Sequence, residues 1–136
     1  MNLESFMLKE EEQVIEYVAS KRIINKETGK PEVWQIKSIT ADENEKIRKD
    51  CYKTIQNGKR IKQEFDTTKY LGMLADKCIV YPDLHDVKLQ DFYGEMDPVV
   101  ILKKYLLKPG EYDDLMAEIQ KINGYDLEDA VEEAKN

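Results

Sequence analysis

Turn and stop signals cut this chain into pieces too short for a long helix or a wide sheet. Gly29 and Pro31, Asn57-Gly58, Pro82, Gly94, Asp97-Pro98, Lys108-Pro109-Gly110 and Asn123-Gly124 recur along its 136 residues. At each, glycine or asparagine can take a turn conformation, or proline lacks the N–H that a helix or strand would use. Short elements must therefore pack around a shared core. A chain of this length fits one domain, which typically buries about two-thirds of its unfolded surface.

The first half reads as a hairpin leading into a helix. Val14, Ile15, Tyr17 and Val18, with Ile23 and Ile24, are β-branched or aromatic, and the polar stretch 25–31 that follows is turn-like. Val33, Trp34, Ile36 and Ile39 form a second strand, with Trp34 and Ile36 on one face. Thr40 and Glu43 have the spacing of a capping box, so a helix is expected to begin there. Ile47, Cys51 and Ile55 recur every four residues and predict that this helix runs to Asn57-Gly58, with 59–64 as a solvated loop. Asp66 or Thr67 then caps a helix bearing Tyr70, Leu71, Leu74, Cys78 and Ile79, stopped by Pro82. Gly72 inside that helix costs about 1 kcal/mol relative to alanine, and a close helix or strand crossing would explain it.

The second half reads as short helices. One runs from His85-Asp86 to Tyr93-Gly94, another starts at Asp97-Pro98, and a third follows Pro109 and closes at Asn123-Gly124. A last one carries Leu127, Ala130, Val131 and Ala134 at i, i+3, i+4, i+7 among acids. The expected fold class is thus α+β, mostly helical: a small N-terminal antiparallel β-hairpin followed by about five to six short helices. Residues 1–126 form a single domain in this reading, and 127–136 an acidic tail that frays.

Charge is distributed unevenly. Residues 1–110 balance 19 acids against 19 bases, whereas residues 111–136 hold nine acids against Lys121 and Lys135, the whole net charge of −7. The same stretch carries Tyr112, Leu115, Met116, Ile119 and Ile122 at helical spacing, so packing on the domain is its first role. An acidic protein repels nucleic acid, and the one basic cluster, Lys59, Arg60 and Lys62, is too short to reverse that. The longest apolar run, 99–107, is broken by Lys103 and Lys104, which excludes a membrane helix. Residues 1–12 lack the basic and apolar regions of a secretory signal, so a cytoplasmic location is expected.

The inventory for catalysis is poor. His85 is the sole histidine and stands in a polar turn beside Asp83 and Asp86. Cys51 and Cys78 lie 27 positions apart and behave as small buried hydrophobes; no metal-ligand spacing and no phosphate loop is present. No catalytic, cofactor or metal residue is expected. The aromatic residues fall mostly on faces expected to be buried. Leu3, Phe6 and Leu8 are different, an apolar cluster ahead of the first strand that suits docking. Leu127 and Val131 in the acidic tail are the other candidates for partner contact.

Several strings recur in the order of one family. The run Tyr17-Val18-Ala19-Ser20-Lys21-Arg22, the later Trp34, Ile47-Arg48-Lys49-Asp50-Cys51, and Asp66-Thr67 with Lys69-Tyr70-Leu71 resemble the XkdN-like tail assembly chaperones of phages and defective prophages of Gram-positive bacteria. Cys78-Ile79-Val80-Tyr81-Pro82, Leu89-Gln90-Asp91 with Tyr93-Gly94, Pro109-Gly110-Glu111-Tyr112 and Ile122-Asn123-Gly124 continue the match. Lys108 replaces a threonine-like cap and Tyr125 a phenylalanine.

The resemblance implies a non-enzymatic chaperone that binds the tape measure protein and helps tail tube protein assemble around it, in the host bacterial cytoplasm. It implies no cofactor, nucleic acid or membrane, and leaves homo-oligomerisation open. A structural component retained in the virion is the alternative, and an acidic DNA mimic or regulator a second.

Overall fold

The computed structural model describes residues 1–9 and 13–125. A 3-10 turn, Leu3–Phe6, precedes β1 (Val14–Tyr17) and β2 (Trp34–Lys37), which pair antiparallel with Tyr17 opposite Trp34. The expected N-terminal hairpin is therefore present. Trp34 and Ile36 are buried while Gln35 between them is exposed, the alternation of a strand with one face on a core. Thr40 and Glu43 close both halves of the capping box on α1 (Ala41–Lys49).

Beyond α1 the expected run of helices is overturned. The chain forms a second hairpin, β3 (Tyr52–Asn57) and β4 (Arg60–Phe65), before α2 (Thr67–Cys78), and a fifth strand, β5 (Ile79–Tyr81), after it. β5 returns to pair antiparallel with β2, so the first sheet has the order β1-β2-β5 and the second holds β3 and β4. Helices and strands are interspersed; the strands are not confined to an N-terminal hairpin.

The reason is physical. Positions 47, 51 and 55 are four apart, which suits a helix face, but four is also twice the strand period. Of the three only Ile47 lies in α1; Cys51 is buried at the junction and Ile55 stands in β3. Asn57-Gly58 is a hairpin turn rather than a helix end. Gly58, at φ +66°, is the first central residue of a two-residue loop in which Asn57 pairs with Arg60. The stretch 59–64 is thus mostly strand, with Lys62 opposite Ile55. Ile79 likewise leaves the helix, because the β-branched and aromatic run to Tyr81 completes the sheet before Pro82.

Four elements follow. α3 (Val87–Tyr93) starts at an Asp86 cap and ends at Gly94, φ +63°, in the left-handed C-cap conformation. α4 (Pro98–Val100), capped by Asp97, continues into a π-helical turn, Ile101–Leu106, in which the Leu107 N–H donates to the Leu102 carbonyl. α5 (Pro109–Ile122) packs on α2 and β2. Its apolar stripe faces inward as expected, with Leu115, Met116 and Ile119 buried and Tyr112 and Ile122 packed at the margin.

A single core unites these parts around Trp34, Ile36, Leu74, Ile101, Leu102, Leu115 and Ile119. α2 supplies more buried residues than any other helix: Tyr70, Gly72, Leu74, Ala75 and Cys78. A Cβ on Gly72 would stand 2.8 Å from a Val99 methyl carbon, so the helix crossing inferred from that glycine is real. Both cysteines are buried and free, and burial pushes both thiols up from their usual pKa.

Two polar ties close the structure. Arg22, in the loop between β1 and β2, donates to both oxygens of Glu111, at 2.5 and 3.3 Å, and to the Leu106 carbonyl. Glu111 also accepts from the Lys108 N–H at 2.8 Å, the carboxylate half of a capping box whose hydroxyl half Lys108 lacks. At the far end Asn123 accepts from the Ile39 N–H at 2.9 Å and donates to the Ile119 carbonyl. It thereby joins the exit of β2 to the end of α5.

Candidate docking face

α3 contributes no fully buried residue, unlike α1, α2 and α5. Leu89 and Tyr93 turn partly onto the core, whereas Val87, Phe92 and, just past the helix, Met96 stand in solvent. Gln90 anchors this corner by donating to the carbonyls of Leu84 and Met96, at 3.4 and 3.1 Å.

An aromatic ridge runs across the face. Phe92 meets Tyr93 edge-on at 4.9 Å, and Tyr93 stacks on Tyr105 at 4.5 Å with planes 17° apart. Offset or tilted ring pairs of this kind hold their geometry and add to area burial. Beside the ridge lies a groove of about 290 Å³ lined by Ile23, Glu32, Trp34, Tyr81, Pro82, Leu89, Tyr93 and Leu106. The Tyr81-Pro82 peptide is cis, and Tyr81 is half exposed at the rim. The face is mostly apolar, with Glu32 in the groove and the Lys104 ammonium 5.4 Å from the Tyr105 ring at the end of the ridge. Such a surface suits the apolar side of a partner helix.

Sequence reasoning placed these aromatics in the core. The miss has a cause: Leu89 and Tyr93 do face inward, and periodicity alone does not show that a seven-residue helix rides on the surface. Adjacent helical positions lie about 100° apart, so Phe92 beside Tyr93 fits the margin of a helix as readily as its buried face.

The candidates named from sequence lie elsewhere. Leu3, Phe6 and Leu8 are 72, 80 and 71% exposed and belong neither to the core nor to the groove. Leu127 and Val131, with the expected last helix, fall outside the described residues. Arg60 and Lys62 sit on β4 rather than in a loop, and Lys59 in the two-residue turn before it.

A larger cleft of about 700 Å³ opens between α1, α2 and α4. Glu43, Asp50, Asp76 and Asp97 alternate there with Lys46, Lys69 and Lys77, a solvated mixture of signs. At its edge the exposed His85 ring contacts both Asp76 oxygens, at 2.9 and 3.0 Å. The thiols of Cys51 and Cys78 are both buried. Among the described residues no group of three or more His, Cys, Asp or Glu side chains could hold a metal ion, and no helix is long and apolar enough to cross a membrane.

The chain is 33% identical over 130 residues to the uncharacterised protein YqbN of Bacillus subtilis strain 168, covering 93% of this chain and 86% of that protein. It is 32% identical, with the same coverage, to the phage-like element PBSX protein XkdN of the same organism. The crystal structure of YqbN superposes with a TM-score of 0.74 and 27% identity, covering 90% of this chain and 96% of the other. Residues 3–135 match the phage XkdN-like tail assembly chaperone protein family. The chain belongs to the XkdN-like phage tail assembly chaperones.

Proposed function

We propose that this protein is a non-enzymatic chaperone that binds the tape measure protein of its own phage or prophage, in the host cytoplasm, and aids assembly of tail tube protein around it. Family membership over residues 3–135 carries the reading. The exposed apolar face on α3, beside the Tyr81-Pro82 groove, supports it physically. A long helical client exposes apolar stripes before its partners arrive. A preformed groove flanked by aromatic rings covers such a stripe at little ordering cost to the chaperone. Leu3, Phe6 and Leu8 offer a second apolar contact. The excess negative charge keeps a loaded complex soluble.

Co-expression with the tape measure protein encoded in the same phage or prophage tests this. The client is expected in the soluble fraction, bound to the chaperone, and Phe92→Ser is expected to weaken capture without changing the fold. A client that stays insoluble and is not pulled down refutes the reading.

A further inference from the structure

Of the eight residues that line the groove beside α3, only Glu32 carries a charge. Its placement follows from the approach to β2. Side chains alternate across an extended chain, and exposure alternates with them: Val33 and Gln35 are exposed, Trp34 and Ile36 are buried, and Glu32 is half-buried on the side of Trp34. The Glu32 N–H donates to the carbonyl of Ile23, another lining residue, at 2.8 Å, and the Ile24–Pro31 bridge closes the same loop. The residue is therefore held in place by its backbone. Among the described residues its carboxylate makes no ion pair and accepts no hydrogen bond.

An open groove lets solvent hydrate that carboxylate. A client helix seated there removes the solvent, and a carboxylate desolvated without a partner is strongly unfavourable. The protein supplies no such partner from its own described side chains, so a well-fitting client must bring one. The walls say which kind. Trp34, Tyr81 and Tyr93 carry rings of the type that attracts a cation across its face, and Leu89 and Leu106 suit the methylene stem of a long basic side chain. A client acid at the same point would meet Glu32 as a like charge and be rejected.

Given client binding at this face, as proposed above, we propose that the groove selects client helices with an arginine or lysine inside the apolar stripe, its cation on Glu32 and its stem against Leu89 and Leu106. Charge complementarity and the apolar, aromatic lining argue together for this occupant. Glu32 is then a specificity residue: the apolar face gives contact area, and the single carboxylate fixes which stripe fits and in what register.

The complex with the co-expressed tape measure protein provides the test. A photo-cross-linking phenylalanine derivative at position 81, on the groove rim, marks the client segment seated there. That segment is expected to carry an arginine or lysine among apolar residues at helical spacing. Replacing this client cation with glutamine should weaken binding to the wild-type chaperone by about tenfold or more. The same replacement should matter far less to Glu32→Gln, which keeps the backbone bond to Ile23. A client with glutamate at that point should bind Glu32→Lys better than wild type. Equal losses with wild type and Glu32→Gln, or a cross-linked stripe without a cation, overturn the proposal and leave the chaperone reading intact. Capture without cross-linking at position 81 does the same. A client that is not captured at all removes both.

Discussion

Gly72→Ala gives the sharpest test of how the helices are assembled. In an isolated helix the change would stabilise by about 1 kcal/mol, because alanine loses less backbone entropy. Here the new methyl would lie 2.8 Å from Val99 Cγ1, well inside the ~3.5–4.0 Å at which carbon atoms attract. Val99 is β-branched and holds one preferred rotamer in a helix, so it cannot swing aside and α4 must shift. Overpacking of that kind costs roughly 1–3 kcal/mol. Taking about 2 for the clash leaves a net loss of about 1 kcal/mol, or roughly 4 °C in Tm for a domain of this size.

Val99→Ala alone removes two partly buried methyls and should cost about 1 kcal/mol. It also removes the clashing atom, so the double variant should combine that loss with the full helix gain and return close to wild type. The coupling between the two sites is then about 2 kcal/mol in favour of the pair. Urea unfolding of the four proteins measures it. A Gly72→Ala protein more stable by the full helix increment, or strictly additive effects, would refute the crossing as the reason for glycine.

Further outcomes follow from the polar ties and caps. The Arg22 guanidinium, with Ser20 and the Lys108 N–H, holds the Glu111 carboxyl down at about 2. Its folded pKa lies below the unfolded value of about 4.3, so its contribution is present above that pH and is lost as pH falls toward 2. Unfolding titrations of wild type and Glu111→Gln should therefore differ at neutral pH and converge near pH 2; a constant gap would contradict the tie. Thr40→Ala should destabilise by about 1 kcal/mol through loss of the α1 cap, and Thr40→Ser should restore most of it. Phe92→Ser should leave Tm within a degree or so, because the ring is 78% exposed, while reducing client capture.

Local signals were legible wherever a side chain bonds its own backbone. The Thr40–Glu43 box, the Asp66, Asp86 and Asp97 caps and the Gly94 stop all stand where their residue types predicted. The apolar stripe of α5 was equally readable, since five residues at helical spacing admit one buried face. What periodicity could not decide was the stretch 50–65, where a spacing of four served helix and strand alike. The Asn57-Gly58 turn held the answer, but the same pair ends helices. β5 escaped because three residues are too few for a pattern, and its partner β2 lies more than 40 positions earlier. The docking face escaped for a related reason. Hydrophobic residues on a short helix look the same in sequence whether they meet the core or await a partner. Of the side chains weighed for chemistry, the structure brings the exposed His85 onto Asp76 and buries both thiols, and neither placement could be read from spacing.

Hydrogen exchange of the chain with and without the co-purified tape measure protein tests the central claim most directly. The account predicts slowed exchange across 81–106, spanning the Tyr81-Pro82 groove, α3 and the π-helical turn, with β3 and β4 unaffected. Unchanged exchange in 81–106 while another surface becomes protected would contradict it.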